Sequence, residues 1–182
     1  MRNKTIEKIL LNINNKYDYE RIHSERVSQY CLSIARTMNL SNKEVEEAKI
    51  AGALHDIGKI IVSPEILNKK DKLTKKEWEE VKKHPYTSYQ LLKSVDEYAN
   101  IAEAVLYHHE RLDGTGYPEG LKEEEIPLLS KIIAVADVYE AITANRPYKH
   151  TKTKEQAIEE LKKHSGTQFD EKIVGIFIIE VL

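Results

Sequence analysis

The run Leu128-Leu-Ser-Lys-Ile-Ile-Ala-Val-Ala-Asp-Val-Tyr-Glu-Ala-Ile-Thr143 limits what this chain can fold into more than any other feature. It is apolar nearly all round, and a helix of that kind must be enclosed by other elements. Pro127 sits at its first turn, where proline is tolerated. The shorter run Ile132 to Val138 resembles a strand, but its alanines and the length of the whole favour helix. The rest of the chain is therefore expected to wrap around one central helix. In the middle of that helix stands Asp137, between Ala136 and Val138. A carboxylate there is costly to desolvate unless it is paired or bound to a cation.

Elsewhere the helical period dominates and strand alternation is scarce. Ile6, Ile9, Leu10 and Ile13 give Thr5 to about Asn14 helical spacing. A second helix is expected from about Glu20 to Met38, with Val27, Tyr30, Cys31, Ile34 and Ala35 on one face and His23 in its first turns. Ser41, with Glu44 three residues on, forms a capping box for a third, which runs through Leu54 to His55-Asp56 before Gly58 stops it. Ser63-Pro64 opens a short helical turn. Thr74 and Glu77 repeat the capping box, and Trp78 and Val81 are assigned to the buried face of that helix. His84-Pro85 breaks it, because a residue before proline avoids helical dihedrals, and Tyr86 to Lys93 restarts it. A helix from about Asp96 to His109 leads into a glycine-rich loop, and two more run from Thr153 to about His164 and from Phe169 to Leu182. The pattern predicts an all-α chain. Residues 1–16 read as an N-terminal helix, a linker or coupling element, and residues 17–182 as one domain.

At 182 residues the chain is long enough to bury a sizeable core. Its net charge is −2, with Lys and Glu interleaved, so it lacks the basic stripe that a nucleic-acid polymer would require. The single cysteine, Cys31, excludes an internal disulfide and a Cys-cluster zinc site. No apolar run reaches membrane-spanning length and no signal-peptide pattern opens the chain, so a cytoplasmic protein is expected.

The histidines carry the chemistry. Five of the seven, His23, His55, His84, His108 and His109, fall at helix starts, ends or breaks, and Asp56 adjoins His55. Singly, each is more economically a satisfied surface or core residue, and His150 and His164, in lysine-rich surroundings, are read that way. Five such positions together with the isolated Asp137 point to a metal site. Neighbours on a helix point about 100° apart. His108 and His109 therefore suit either a site with more than one metal or one metal wedged against the helix end. The donor set is rich in nitrogen and oxygen and free of sulfur, which suits manganese, iron, nickel or zinc. Seven donors exceed one tetrahedral zinc and suit two octahedral metals with one carboxylate bridging. Such a site activates water and stabilises in-line displacement at phosphorus. Lys59, four residues after His55, is placed to set a cation near a phosphate or leaving oxygen. Taken alone it would be a surface lysine.

In order along the chain, His23-Ser-Glu-Arg-Val27, His55-Asp-Ile-Gly-Lys59, His84-Pro85, the block His108 to Pro118, Ala134-Val-Ala-Asp-Val-Tyr139, Arg146-Pro-Tyr-Lys149 and Gly166-Thr-Gln-Phe-Asp170 resemble the HD-GYP domain, a subgroup of the HD metal-dependent phosphohydrolases. The resemblance covers nearly the whole chain. It implies a compact helical bundle of the HD-domain phosphohydrolase type. The activity it implies is hydrolysis of cyclic di-GMP to pGpG, and in some members on to GMP. By the same resemblance His23, His55, Asp56, His84, His108, His109 and Asp137 are metal ligands, with Asp56 the bridge. Lys59 and Asp56 are the catalytic residues, and Lys59, Tyr117, Arg146 and Lys149 contact substrate. The Gly116-Tyr117-Pro118 loop is associated with the substrate rim and with docking of diguanylate cyclase domains.

The sequence departs from the family pattern in places. Tyr19 stands four residues before His23, where members with three metals carry glutamate, so two divalent ions, iron or manganese, are expected. Glu20 is one step round the helix from that position. Glu140 replaces an aspartate common three residues after the Asp137 ligand and is long enough to reach a third ion. Ser88 stands where a glycine often follows the His84-Pro85 pair. Two other readings compete with a cyclic di-GMP phosphodiesterase. One is a module that binds cyclic dinucleotides or docks onto a cyclase with little turnover. The other is a phosphodiesterase for another cyclic dinucleotide, such as 3′,3′-cyclic GMP-AMP. The first helix is the natural place for coupling to a partner or for a homodimer.

Overall fold

The structure is a computed structural model that describes residues 18–144 and 153–182, with the side chains of Asp18 and Tyr19 left aside. The expectations placed on residues 1–16, on the Tyr19 side chain, and on Arg146, Lys149 and His150 lie outside the described residues. In chain order the elements are α1 (Asp18–Thr37), α2 (Asn42–Leu54), a 3-10 turn (Ile57–Ile61), α3 (Pro64–Leu67), α4 (Lys75–Val81), α5 (His84–Lys93), α6 (Ala102–Leu106), a second 3-10 turn (Glu123–Glu125), α7 (Leu128–Thr143), α8 (Lys154–Lys163) and α9 (Glu171–Ile176), which continues as a π turn (Phe177–Val181). Among the described residues there is no strand, only isolated bridges between Asp113 and Lys122 and between Ser165 and Phe169. The all-α expectation holds.

Helix α7 is the hub. Ile132, Ile133, Val135, Ala136 and Tyr139 are buried. They join Val27, Cys31, Ile34 and Ala35 of α1 and Phe177 in one core. Tyr30, Tyr139 and Phe177 meet edge to face, with ring centroids 5.0–5.4 Å apart. Each fully buried side chain of this size contributes roughly 1.5–3 kcal/mol. Nevertheless α7 is not covered on every side: Ala134, Asp137 and Val138 line a cavity. Its apolar circumference thus serves a pocket wall as well as the core.

Local rules set the element ends. Capping boxes form at Ser41 with Glu44 and at Thr74 with Glu77, where the spacing predicts them, and at Thr153 with Gln156. Four expectations need correction. Helix α5 begins at His84 itself, with Pro85 in its first turn, so the break lies at Lys82-Lys83, ahead of the His84-Pro85 pair. The helix read from Asp96 to His109 is confined to Ala102–Leu106, because the chain before it takes successive three-residue turns: Tyr98 N bonds to Val95 O and Ile101 N to Tyr98 O. The last helix starts at Glu171 rather than Phe169, because the Asp170 carboxylate caps the N–H of Ile173 (3.1 Å). Trp78 does not face the core. It is 45% exposed and lies outside the apolar cluster.

Candidate metal centre

Six separate places in the chain deliver side chains to one point beside α7. His23 comes from the second turn of α1 and His55-Asp56 from the end of α2. Lys59 comes from the 3-10 turn, His84 from the first position of α5, His108-His109 from just beyond α6, and Asp137 from the middle of α7. The α2 end is fixed against α5 by Ser88. Its hydroxyl accepts from Gly58 N (2.8 Å) and donates to His55 O (3.0 Å). Gly58 is needed for that approach, since a Cβ there would collide with the His84 carbonyl oxygen and lie 2.6 Å from Ser88 N. Ser88 therefore tightens the seat of the His55-Asp56 pair.

The donors fall into two groups about Asp56. On one side His84, His108 and His109 bring ring nitrogens within 4.8 Å of one another; on the other, ring nitrogens of His23 and His55 and a carboxylate oxygen of Asp137 lie equally close, and His55, Asp56 and His108 form a third such set that joins the two. Asp56 Oδ1 lies 3.1 Å from His84 Nε2, while Oδ2 lies 3.1 Å from His55 Nε2 and 3.5 Å from His23 Nε2. Asp137 Oδ1 is 3.3 Å from His23 Nε2 and 3.8 Å from His55 Nε2. His108 and His109 reach the same side, with ring centroids 3.9 Å apart. Because α6 ends at Leu106, the 100° offset of helical neighbours does not separate them.

The residues present fit divalent cations. Nδ1 of His55, His84 and His108 donates to the carbonyl three residues earlier, Gly52 (2.8 Å), Val81 (2.7 Å) and Val105 (2.5 Å). That bond fixes the tautomer and turns the Nε2 lone pair inward, the usual outer support of a metal-binding histidine. The buried Nε2 atoms of His84 and His108 have no hydrogen-bond partner. The 3.1 Å approach of His84 to Asp56 lacks hydrogen-bond geometry. Buried unpaired nitrogens are costly, and His23 Nε2 and His55 Nε2 also converge to 3.2 Å. Cations placed among these atoms remove both penalties.

The two halves differ in charge. Burial alone would lower the His23 pKa, but hydrogen bonds to Asp137, Asp56 and Glu140 overcome it and raise it to about 11. His55 is also raised: Asp56 and Asp137 outweigh its burial. Conversely, burial and the neighbouring imidazoles lower His108 well below its ordinary value and His109 to about 3. Burial would raise both carboxyls, yet His55, Lys59 and His23 hold Asp56 far below the usual range, and His23 and His55 do the same for Asp137. The ligands must be neutral imidazoles and carboxylates to hold a metal. Metal uptake at neutral pH should therefore expel protons from His23 and His55. Its affinity should rise with pH up to about 11, where metal-free His23 loses its own proton. Calorimetric titration with manganese in buffers of different ionisation enthalpy measures this. Uptake with no proton release contradicts it.

Three carboxylates have roles that the sequence does not state. Glu140 does not point at the donor cluster. Its Oε2 accepts from His23 Nδ1 (2.5 Å) and its Oε1 faces Arg26 (3.5 Å), so it orients His23. Its spacing of one helical turn from Asp137 is the signal, though the direction of the side chain is not. Glu140→Gln is expected to weaken metal binding about 10–100-fold, as loss of such a partner does. Metal titration of the variant measures this, and wild-type affinity would contradict it. Glu20 holds Lys59 Nζ (3.2 Å), which also contacts Asp56 Oδ2 (2.7 Å). Glu110, buried beside His109, accepts from the N–H groups of Glu119, Gly120 and Leu121 (2.7, 3.0 and 3.0 Å). It fastens the loop after the cis Tyr117-Pro118 bond to the histidine turn. Gly116 passes so close that a Cβ would lie 2.5 Å from Arg111 N. Tyr117, packed on His109 with centroids 4.8 Å apart, reaches the cavity wall. Of the expected substrate residues, Lys59 and Tyr117 are brought to the site, and Arg146 and Lys149 lie outside the described residues. His164 pairs with Glu160 (3.4 Å) and belongs to none of the ligand groups.

A sequence profile of the HD domain matches residues 8–173. The chain belongs to the HD-domain family. HD phosphohydrolases are metal-dependent, and the histidine and aspartate groups of this HD domain are able to bind metal. The chain is 40% identical, over 93% of its length, to a cyclic di-GMP phosphodiesterase of Pseudomonas aeruginosa, of which it spans 41%. It is 37% identical to a 3′3′-cGAMP-specific phosphodiesterase of Vibrio cholerae over 87% of its length and 34% of that protein's. It spans less than half of either relative. In fold it is similar to an HDG"Y"P protein from Bdellovibrio bacteriovorus (TM-score 0.70, 20% identity, 91% of this chain and 53% of that one). No helix among the described residues of this HD domain is long and apolar enough to cross a membrane.

Proposed function

We propose that the chain is a phosphodiesterase that hydrolyses cyclic di-GMP to pGpG, with two divalent metal ions, iron or manganese. One observation carries this reading: a single carboxylate, Asp56, lies between two clusters of potential ligands, with the Lys59 ammonium 2.7 Å from its Oδ2. His84, His108 and His109 would hold one ion and His23, His55 and Asp137 the other, with Asp56 shared. When bound, such ions supply Lewis-acid polarisation of the phosphoryl group and lower the pKa of an attacking water.

The residues of the chain do the rest. Asp56 and Asp137 stay ionised through neutral pH and supply the negative charge that two dications need. Lys59 stays protonated: burial opposes its charge, but Asp56 and Glu20 overcome that opposition. It presents a fixed cation to the phosphoryl oxygens and the departing 3′ oxygen. Water adds to phosphorus, the P–O3′ bond breaks, and the proton balance leaves a 3′-hydroxyl and a 5′-phosphate. A second cut of the linear product yields GMP. The Gly116-Tyr117-Pro118 loop, held by Glu110, forms the substrate rim and the site offered to diguanylate cyclase domains. The enzyme acts in the cytoplasm, alone or as a homodimer.

The test is anaerobic purification, a count of manganese, iron and zinc per chain, and chromatography of the products of cyclic di-GMP incubated with the same sample. About two metals per chain and pGpG or GMP in the eluate support the reading. Loaded metal with intact cyclic di-GMP moves it to 3′,3′-cyclic GMP-AMP, assayed in parallel, or to a binding role without turnover.

A further inference from the structure

We propose that Trp78 forms a base-stacking subsite, taking one purine of a cyclic dinucleotide whose phosphate lies at the metal centre. The inference rests on the cyclic-dinucleotide reading above and extends it to a residue that reading does not use. Trp78 has no part in the core. It is 45% exposed on the short helix α4 and lies outside the apolar cluster. Instead it lines a cavity of about 370 Å³ whose floor includes His109 and Asp137. A row of rings leads outward from the centre. His109 packs on Tyr117 at 4.8 Å, and Tyr117 meets Trp78 edge to face at 6.3 Å and 77°. The edge-to-face contact spends a ring edge of the pair and fixes their relative orientation.

The chemistry of the lining selects the ligand. Indole is the largest π surface available to a protein, and bases stack on it whatever their sequence identity. Lys82, one helical turn after Trp78 and paired with Glu79 (2.8 Å), and Arg111 line the same cavity. A π wall flanked by cations and opening onto a site for phosphate fits an anionic ligand that carries an aromatic base. Tyr117 closes the inner end, where burial raises its hydroxyl pKa and keeps it neutral.

Trp78 is the only tryptophan in the chain, so its fluorescence reports the subsite directly. The experiment is stopped-flow titration of the manganese-loaded full chain with cyclic di-GMP, together with steady-state kinetics of Trp78→Ala and Trp78→Phe. Metal content and thermal melting verify that the variants fold. Saturable quenching before turnover is expected, with KM raised roughly tenfold in Trp78→Ala at nearly unchanged kcat and largely restored by Phe, which keeps a π face. Absence of quenching, or a wild-type KM in Trp78→Ala, overturns the proposal while leaving the phosphodiesterase intact. If the wild type does not cleave cyclic di-GMP, the phosphodiesterase reading fails on its own account. Quenching then decides the subsite: saturation supports it and a flat titration overturns it. If Trp78→Ala does not fold, Trp78→Phe and the wild-type titration decide.

Discussion

Asp56→Ala is expected to abolish turnover of cyclic di-GMP, with kcat falling by more than about 100-fold, beyond what loss of an outer partner of a ligand costs. The reason is positional. Among the described residues Asp56 is the carboxylate whose two oxygens face the two ligand groups, Oδ1 toward His84 and Oδ2 toward His55 and His23. Its removal should leave fewer metals per chain as well as less activity. It should also harm the metal-free protein. Lys59 Nζ sits 2.7 Å from Asp56, and protonated His55 and His23 rely on the same carboxylate. Each of these cations keeps another carboxylate, Glu20 for Lys59 and Asp137 for His23 and His55, so the loss should stay below the roughly 3–5 kcal/mol that a fully stranded buried charge costs. Metal analysis, product chromatography and thermal melting of the EDTA-treated variant measure the three consequences. Full turnover by Asp56→Ala would remove the bridging role altogether.

Lys59→Met separates the catalytic lysine from the metal site it touches. Its nitrogen is a donor and not a metal ligand, so metal content should stay at the wild-type level. Loss of a preorganised cation at the displaced oxygen should reduce kcat about 10²–10³-fold. Arg is not expected to rescue it, because a planar guanidinium cannot occupy the point between Glu20 and Asp56 that a compact ammonium fills. The check is kcat measured beside metal content in the same preparation. An unaffected rate contradicts the assignment, and loss of metal together with rate would make Lys59 a support for Asp56 alone.

The parts of the molecule that follow from local rules were legible in the sequence. The capping boxes at Ser41 and Thr74 are set within four residues, and the apolar run of α7 announces its own burial. The convergence of His23, His55, Asp56, His84, His108, His109 and Asp137 could be anticipated because each departs from its local pattern in the same chemical direction. What was not legible depends on long-range placement. The helix before His108 looks continuous by periodicity, yet three-residue turns from Val95 to Ile101 delay its start to Ala102, and it stops at Leu106, where a turn bonding Glu110 N to Tyr107 O carries both histidines outside the helix. Trp78 and Val81 share a helix face that periodicity marks as apolar, but no spacing tells a face toward the core from a face toward a cavity. Glu140 is one turn from Asp137, and only the packing of α1 on α7 shows that it meets the far nitrogen of His23. Glu110 carries no signal beyond its place before a glycine-rich loop whose N–H groups need an acceptor.

The most direct test of the central claim is to locate the metals. Anomalous diffraction at the manganese edge from crystals of the loaded chain is expected to give two peaks flanking Asp56. One should lie among His84, His108 and His109 and the other among His23, His55 and Asp137. A single peak with one group left without metal, or peaks away from Asp56, would contradict the account.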